Sequence, residues 1–414
     1  MKSDTISAKI VMTVLLLVLA LPAAASDYTL NIFGNANEDD TINMQDVTYT
    51  ELIILEYRDK TELSDAKHDN KINMQDVTQI ELIILGKEKE LTVLDDAERS
   101  VTLKMPLKRV ILTRTGREEA LVVIGVADKV VGIASSIPKS KPYVCEAGGL
   151  TDLPTVGDKP DWDYEKILAL DPGIVFTPPS CMSTVVEKIG DDVPVVVLRV
   201  YKQGDMQWTT RGYKTLGLMF GKEEEAGEII NWIHKYEEIV KERTGDLTPE
   251  ELPTFYIEAY DDWVTYGSDN YDGAVAAGCG GRNIIDDVEL FTPGSWGEYV
   301  VDPEWLLKQN PDVIFQRVSP QSDLMTEDAA EARLEALIDR PGWENLDAVK
   351  GDRVYLYNNR IVFSAGFMLG SCYFAKCLQP DLFSDMDPME LCDEYWNTFI
   401  GMDFPEVSIY PEPD

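Results

Sequence analysis

The chain has 414 residues and a formal net charge of −37, from 74 acidic and 37 basic side chains. Because the negative charge is spread along the chain, it argues against nucleic acid or anionic lipid as a partner. The length predicts two or three domains, and a chain with only His68 and His234 and no Cys-x-x-Cys spacing has no pattern typical of a zinc site.

The first 25 residues have the features of a secretory signal peptide. Lys2 and Lys9 precede an apolar stretch at 10–21, and the alanines at 23–25 form an A-x-A cleavage site before Ser26. No cysteine follows that site, so we expect no lipobox, and no later segment is long and apolar enough to be a transmembrane segment. We therefore expect an exported protein at the cell surface, in the periplasmic or in the pseudoperiplasmic space.

A loop followed by a helix occurs twice between residues 27 and 88. The second copy lies 30 residues after the first, as the shift from Asp46 to Asp76 shows. Oxygen-bearing side chains recur at positions 1, 5, 9 and 12 of each 12-residue loop, and position 7 offers its backbone carbonyl. This spacing is typical of a loop that wraps Ca²⁺. The predicted metal ligands are Asn35, Asn37, Asp39, Thr41, Asn43 and Asp46 in the first loop and Asp65, Asp69, Lys71, Asn73 and Asp76 in the second.

The two loops resemble those of dockerin domains in three details. Position 12 is aspartate, position 8 is isoleucine, and the loop-helix units stand in tandem. The second loop departs from the pattern because Lys67, at position 3, cannot coordinate a cation. The resemblance covers about residues 30–88 and implies a small all-α, calcium-binding domain whose partner is a cohesin-like domain of the cell envelope. The alternative is that it packs against its own neighbouring domain.

From about Leu91 the chain alternates short apolar strands with helices. The predicted strands are 109–113, 130–134, 174–177 and 194–198, and a helix is predicted at 118–125. Such alternation indicates an α/β fold with a parallel sheet covered by helices. Apolar residues at helical spacing then predict a long helix from about Thr210 to Thr244. The predicted domains are an N-terminal lobe at 91–205, a linking helix region at 206–246, a C-terminal lobe at 250–386 and a C-terminal extension at 387–414.

One helix-to-strand unit occurs once in each lobe, at 163–176 and at 302–315. Each copy begins with an aspartate suited to N-capping, has a glutamate in the first helical turn, and places a proline before an apolar strand. The two glutamates are Glu165 and Glu304. A first-turn glutamate is by itself an ordinary helix residue, whereas its recurrence at one position of both lobes also favours a functional role.

The order of motifs along the body resembles that of class III periplasmic substrate-binding proteins, which serve ABC importers of iron-siderophore complexes, haem and cobalamin. The resemblance covers about residues 91–386 and rests on the segments 120–125, 130–133, 165–172, 277–283 and 304–312. It implies two Rossmann-like lobes joined by a long rigid helix, with the ligand in the cleft between them. It also implies that Glu165 and Glu304 dock onto arginines of the permease dimer, which works with an ATPase.

Candidate ligand-binding residues are arginines and aromatic residues near predicted strand ends, because open α/β sheets bind ligands at the carboxyl ends of their strands. Arginine suits carboxylates, catecholates and phosphates, and aromatic rings cover large flat ligands. A packing role is the alternative for each residue. The candidates are Arg114, Arg117, Arg199, Tyr201, Trp208, Trp263, Tyr266, Trp296, Arg317 and Arg360.

The cysteines are compatible with disulfides in an exported protein. Cys372, Cys377 and Cys392 are close enough in sequence for one bridge among them, although the sequence does not determine the pairing. The others are Cys145, Cys181 and Cys279.

The sequence therefore favours a non-enzymatic binding protein for an iron complex of the siderophore type, with cobalamin or haem as alternative ligands. A second hypothesis is a calcium-dependent adhesion or scaffold protein of the envelope that uses the dockerin-like module. A third, an enzyme, lacks support, since we find no Gly-rich phosphate loop, G-x-S-x-G or H-E-x-x-H motif.

Overall fold

The computed structural model describes residues 28–200, 206–286, 298–318, 326–362, 367–403 and 409–413. These residues form two compact units, which divide between Glu88 and Lys89. The predicted signal peptide, Tyr201, Trp296 and the side chain of Arg360 lie outside the described part of the chain. No helix within that part is both long and apolar enough to cross a membrane.

The first unit is built from two copies of one loop-helix element. Helix α1 (Met44–Ile54) and helix α2 (Met74–Ile84) each begin after an asparagine, Asn43 or Asn73, whose side chain accepts a hydrogen bond from the second residue after it. The two helices contact each other. The sequence repeat is therefore also a structural repeat. Its small buried core consists of Val47, Ala66, Val77 and Ile80.

The first lobe of the second unit consists of eight strands and five α-helices among the described residues. The elements are β1 (Glu90–Leu94), β2 (Ser100–Lys104), β3 (Val110–Leu112), α3 (Glu118–Val123), β4 (Val130–Ile133), α4 (Ile137–Ser140), α5 (Pro142–Ala147), β5 (Gly157–Asp158), β6 (Asp161–Trp162), α6 (Tyr164–Ala169), β7 (Ile174–Phe176), α7 (Pro179–Ile189) and β8 (Val195–Val196). Four of these strands form a fully parallel sheet in the order β4-β3-β7-β8. The antiparallel hairpin β1-β2 precedes the sheet in sequence, and the hairpin β5-β6 lies between β4 and β7.

Two helices follow where the sequence predicts one long helix. Helix α8 (Met206–Phe220) ends before Gly221, and helix α9 (Glu223–Thr244) continues for 22 residues. Gly221 has a φ of +63°, a left-handed conformation that terminates helices and that glycine adopts without a steric penalty. The prediction of a single helix from 210 to 244 is therefore wrong at this break.

The second lobe contains a mixed sheet in the order β12-β10-β9-β13-β14-β15, with β11 also paired to β9. Strands β9, β11, β13 and β14 are parallel, whereas β10, β12 and β15 run antiparallel to their neighbours. The connection from β9 to β10 is too short for a crossover helix, so this pair must be antiparallel. The elements are β9 (Thr254–Glu258), β10 (Val264–Tyr266), α10 (Tyr271–Gly278), β11 (Arg282–Asn283), β12 (Glu298–Val300), α11 (Pro303–Gln309), β13 (Val313–Val318), α12 (Glu327–Ile338), α13 (Asp347–Lys350), β14 (Val354–Asn358), α14 (Phe367–Leu378), α15 (Pro388–Tyr395) and β15 (Ile409–Tyr410).

The last segment of the chain is part of the body rather than an extension from it. Strand β15 joins the edge of the second sheet beside β14. Helix α15 and the π-helical turn Trp396–Ile400 contact elements of the body, α14 and α3 respectively. Helix α9 contacts α8 and α3 as well as α14, so it touches elements of both lobes.

All six cysteines are buried thiols outside any disulfide, so the expectation of a bridge near the end of the chain is wrong. Cys372 and Cys377 both lie on α14. On an α-helix of about 3.6 residues per turn, five residues place two side chains on different faces, which prevents a bridge between them. Burial also raises the pKa of Cys145 and of Cys279 to about 12, which keeps these thiols protonated.

Candidate ligand-binding site

The loop at 113–117 follows the carboxyl end of β3 and carries two predicted ligand residues. Arg114 is exposed to solvent, whereas Arg117 is buried and donates from Nε to the carbonyl of Leu198 at 2.8 Å. Arg117 therefore joins the loop to the chain beyond β8. The structure gives Arg117 a packing role and leaves Arg114 as the accessible cation.

A buried glutamate at the start of α3 accepts hydrogen bonds from the same loop. The Oε2 atom of Glu118 accepts hydrogen bonds from the backbone N–H of Gly116 at 2.7 Å and of Arg117 at 3.1 Å. Gly116 has a φ of +117°, which a residue with a Cβ rarely adopts. Burial raises the pKa of Glu118, and Lys141 opposes that shift.

Trp208 stacks with two arginines in the first lobe. The guanidinium carbon of Arg211 lies 3.7 Å from the centroid of the indole ring, and that of Arg199 lies 5.6 Å away. Arg211 also forms an ion pair of 2.8 Å with the nearly buried Asp96. The structure thus brings the predicted Arg199 and Trp208 together and adds Arg211, which was not predicted from the sequence. Its spacing of three residues from Trp208 on one helix was the available signal.

Arg317 is the centre of the corresponding set in the second lobe. It lies on β13 one residue before the strand's carboxyl end, and only 8% of it is exposed. Its guanidinium carbon is 4.6 Å from the ring centroid of Tyr260 and 5.4 Å from that of Tyr266. Tyr260 was not among the residues predicted from the sequence, although it follows the end of the neighbouring strand β9 and therefore meets the same strand-end criterion as Arg317.

A buried carboxylate holds Arg317 in this position. Asp272 is fully buried in the first turn of α10, 3.3 Å from Nη1 of Arg317, and it also accepts a hydrogen bond from the hydroxyl of Tyr357. Burial raises the pKa of Asp272, and the charge of Arg317 opposes that shift. The same Nη1 donates to the hydroxyl of Tyr266 at 3.3 Å, and burial raises the pKa of that phenol to about 12. The set therefore presents one guanidinium between neutral phenols.

Trp263 does not join the second-lobe set. Its ring packs on Trp343 at 6.1 Å, and the guanidinium of Arg340 lies 4.9 Å from its centroid. Arg340 is in turn engaged by the buried Glu258 at 2.8 Å. Trp263 is therefore a partly buried residue that packs against the core of this lobe, which is the packing alternative considered for each candidate.

The repeated helix-to-strand unit forms the same structure twice. Asp163 accepts a hydrogen bond from the backbone N–H of Lys166 at the start of α6, and Asp302 accepts from that of Glu304 at the start of α11. The N-capping role predicted for both aspartates is confirmed. Glu165 and Glu304 are exposed in the first turns of these helices, and neither forms an ion pair with another described residue.

The first predicted calcium loop brings its oxygen-bearing side chains together. Asn35 is fully buried, and its Oδ1 has no hydrogen-bond donor among the described residues, whereas its Nδ2 donates to the carbonyl of Asp39. Asn37 and Asp39 contact each other at 2.6 Å through Nδ2 and Oδ2. Asp46 accepts from two backbone N–H groups, and burial raises its pKa to about 6. An amide oxygen without a donor and a buried carboxylate in the same loop suit a hard cation with oxygen ligands.

The second loop has a similar backbone but a poorer set of oxygen atoms. Asp76 accepts from the N–H of Lys67 and of Asn73, as Asp46 does in the first loop. The carboxylate of Asp65 accepts from the N–H of Asp69 and of Asn70. Across the described residues, no group of three or more His, Cys, Asp or Glu side chains is arranged to hold a metal ion. A cation in either loop would therefore also need amide, hydroxyl or carbonyl oxygens as ligands.

Comparison with known proteins identifies the body. The sequence profile described as periplasmic binding protein matches residues 110–361. The molybdate-binding protein MolA of Haemophilus influenzae is 24% identical over 296 residues, which cover 66% of this chain and 80% of MolA. Among solved structures, the TroA-like periplasmic binding protein FepB of Veillonella parvula has a TM-score of 0.65 at 22% identity, over 77% of this chain and 98% of FepB. Helicobacter pylori CeuE, solved with Ni(II) bound, has a TM-score of 0.57 at 17% identity, over 76% of this chain and 97% of CeuE.

These likenesses agree with the two α/β lobes of the body. Proteins of this family bind small ligands and work with the permease and the ATPase of an ABC transporter. Since the matched profile spans more than half of the chain, the chain belongs to the periplasmic binding protein family and is the non-enzymatic substrate-binding component of an ABC importer.

Proposed function

We propose that the chain captures an anionic metal compound between its lobes, in the first place an iron complex of the siderophore type, and delivers it to the importer from outside the cytoplasm. The observation that carries this proposal is Arg317, a nearly buried guanidinium at a strand end with Tyr260 and Tyr266 beside it. A fixed guanidinium attracts the negative oxygens of a catecholate chelate, and aromatic rings cover its flat, less polar part. Arg114 and Arg199 add positive charge from the first lobe.

Other ligands of the same machinery are cobalamin and haem, whose large flat ring systems also suit aromatic side chains. An oxyanion such as molybdate is a further candidate, supported by the likeness to MolA. Arginines bind oxyanions through paired N–H donors without needing aromatic partners. The affinities for the candidate ligands should therefore depend to different extents on Tyr260 and on the arginines.

Substitution of Arg114 by alanine is expected to weaken binding of a ferric tris-catecholate about tenfold, or ~1.4 kcal/mol, because it removes an accessible charge at the carboxyl end of β3. Arg109→Ala is the matched control. Arg109 is also exposed but lies just before β3, where it donates to the carbonyls of Leu170 and Asp171. Its loss should leave affinity unchanged. The measurement is quenching of tryptophan fluorescence in the full chain.

The same titration distinguishes the candidate ligands. Ferric tris-catecholate, molybdate, cyanocobalamin and haemin are each added to the wild-type protein. Binding of the ferric chelate with the Arg114-dependent loss supports the first proposal, and binding of molybdate alone replaces it by the oxyanion. A protein that binds none of the four contradicts the proposal.

We also propose that the N-terminal module binds calcium, chiefly through its first loop. Asn35, Asn37, Asp39, Asn43 and Asp46 are the side chains that would hold the ion, and the unpaired Oδ1 of Asn35 supports this assignment. A bound cation neutralises the buried carboxylate of Asp46 and ties the loop to α1, so folding and binding are coupled.

Calcium titrated calorimetrically into the EDTA-treated full chain is expected to bind with a stoichiometry near one. Asp46→Asn should abolish most of the heat, because it removes the buried charge. Asp76→Asn should change it little, since Lys67 already weakens the second loop. Asp40→Asn, at a loop position without a ligand role, is the control. Equal effects of Asp46→Asn and Asp76→Asn would show that the two loops are equivalent.

A second role, attachment to the cell envelope, is supported by apolar residues exposed at equivalent positions of the module's two halves. Met44 and Met74 are 58% and 57% exposed, and Leu55 and Leu85 are 61% and 62% exposed. Such a repeated apolar surface suits a protein partner, such as a cohesin-like domain, or a role in envelope adhesion. The alternative occupant is a neighbouring part of this chain.

In the native host, the full chain is expected to stay with the cells and to be released by EDTA, whereas the double variant Leu55→Asp, Leu85→Asp should appear in the medium without EDTA. Charged residues at these positions disrupt apolar docking. Immunoblots of cells and medium measure the distribution. Equal retention of both proteins would refute tethering through this surface.

A further inference from the structure

The segment 388–400 crosses from the second lobe to the first. It begins after α14, which belongs to the second lobe, where the hydroxyl of Tyr373 donates to Sδ of Met389 at 2.9 Å. It then packs on α9, where the ring of Trp232 lies 5.2 Å from that of Tyr395 and 6.0 Å from that of Phe399. After this segment the chain returns to the second sheet as β15. The segment is therefore held by the second lobe on both sides.

Tyr395 is the point at which this segment reaches the first lobe. Its side chain is almost fully buried, and its hydroxyl donates to Oε1 of Glu119 on α3 at 2.6 Å. Burial raises the pKa of Tyr395 well above its usual range, so the phenol remains a donor. The other carboxylate oxygen of Glu119 forms an ion pair of 3.0 Å with Lys141. This polar contact joins residues 276 positions apart.

The start of α3 is also the base of the loop at 113–117. Glu118, the residue before Glu119, holds that loop through the N–H groups of Gly116 and Arg117. Glu118 is itself fully buried, and its Oε1 has no hydrogen-bond partner within the part of the chain that the structure describes. Since Glu118 and Glu119 are consecutive on one short helix, a force that moves Glu119 also moves the acceptor that shapes the loop. Arg114 lies within that loop.

We propose that Tyr395 is a positioning residue, which fixes the start of α3 and thereby the loop at 113–117 from the second lobe. The arrangement of the lobes and the geometry of the loop at 113–117 are then coupled through the hydroxyl group of Tyr395. The effect on the loop stands independently of ligand identity, whereas its effect on affinity rests on the proposed function. A buried hydrogen bond to a charged group has the strength to maintain such a link, because its loss leaves a carboxylate oxygen poorly solvated.

The test is single-residue hydrogen exchange of the full-length protein and of Tyr395→Phe, which removes only the hydroxyl. Exchange at the amides of Gly116 and Arg117 is expected to accelerate about tenfold, or ~1.4 kcal/mol. Tyr236→Phe is the matched control: it removes a hydrogen bond of 2.6 Å from α9 to Glu394 of the same segment, which is a carboxylate other than Glu119. Amides of β13 report any general loss of stability in either variant.

Unchanged exchange at Gly116 and Arg117, or equal acceleration in both variants, would overturn the proposal, as would acceleration that extends uniformly to β13. Affinity for ferric tris-catecholate is then measured in the same proteins. Weaker binding by Tyr395→Phe but not by Tyr236→Phe supports the coupling to the ligand. If the wild-type protein does not bind the chelate, the proposal of this ligand is wrong. The exchange rates still decide whether Tyr395 positions the loop.

Discussion

Reversing the charge of both Glu165 and Glu304 to lysine is expected to abolish uptake while leaving ligand affinity unchanged. Both glutamates are exposed in first helical turns that have the same structure in the two lobes. If they meet arginines of the permease, each substitution replaces an attraction by a like-charge contact, which costs several kcal/mol at an interface. Asp163 and Asp302 retain their capping hydrogen bonds, so the fold should be preserved.

Uptake of a radiolabelled iron chelate into proteoliposomes that contain the permease and the ATPase measures this effect, and fluorescence titration measures affinity. The double variant Glu223→Lys, Glu327→Lys is the control, because these are also exposed first-turn glutamates, on α9 and α12, and produce the same change in net charge. Equal loss of uptake in both double variants would show that the change in net charge, rather than the positions of Glu165 and Glu304, causes the loss. Loss of ligand affinity in the first would place Glu165 or Glu304 at the ligand instead.

Arg317→Met is expected to lower the free energy of unfolding of the body by about 3–5 kcal/mol, because it leaves the buried carboxylate of Asp272 without its cation. The double variant Arg317→Met, Asp272→Asn should recover part of this loss, since it removes the uncompensated charge. Arg333→Met is the control. Arg333 donates to Oε1 of Gln316 rather than to a carboxylate, so its loss should cost only about 1 kcal/mol. Urea unfolding followed by circular dichroism measures these differences.

The loss of unfolding free energy caused by Arg317→Met should also be smaller at low pH. Burial already raises the pKa of Asp272 in the folded protein, and removal of Arg317 raises it further. A carboxyl group whose folded pKa exceeds its unfolded pKa favours the folded state below the unfolded pKa, and that contribution is lost as the pH rises through the folded pKa. The variant should therefore lie closer to the wild type at pH 4 than at pH 7. A loss that does not depend on pH would show that Asp272 is not its source.

Features that depend on neighbouring residues were predictable from the sequence. The N-caps Asp163 and Asp302 follow from a short polar side chain before an apolar helix, and the strands at 110–112 and 174–176 follow from short apolar runs. The shared structure of the two N-terminal loops follows from their repeated sequence. Two wrong predictions also have local causes. The single long helix is interrupted at Gly221, and a disulfide between Cys372 and Cys377 is prevented because the two residues face different directions on α14.

The sequence by itself determined the alternation of strands and helices in the first lobe, the duplicated capped unit and the repeated loop-helix elements, because capping, periodicity and turn chemistry act over a few residues. Only the tertiary structure decided which arginines and aromatic rings meet. It packed Trp263 against Trp343, gave Arg317 its partners Asp272 and Tyr260, and brought Tyr395 to Glu119. These contacts join residues far apart in the chain, and they depend on how whole sheets and helices pack, which no short stretch of sequence specifies.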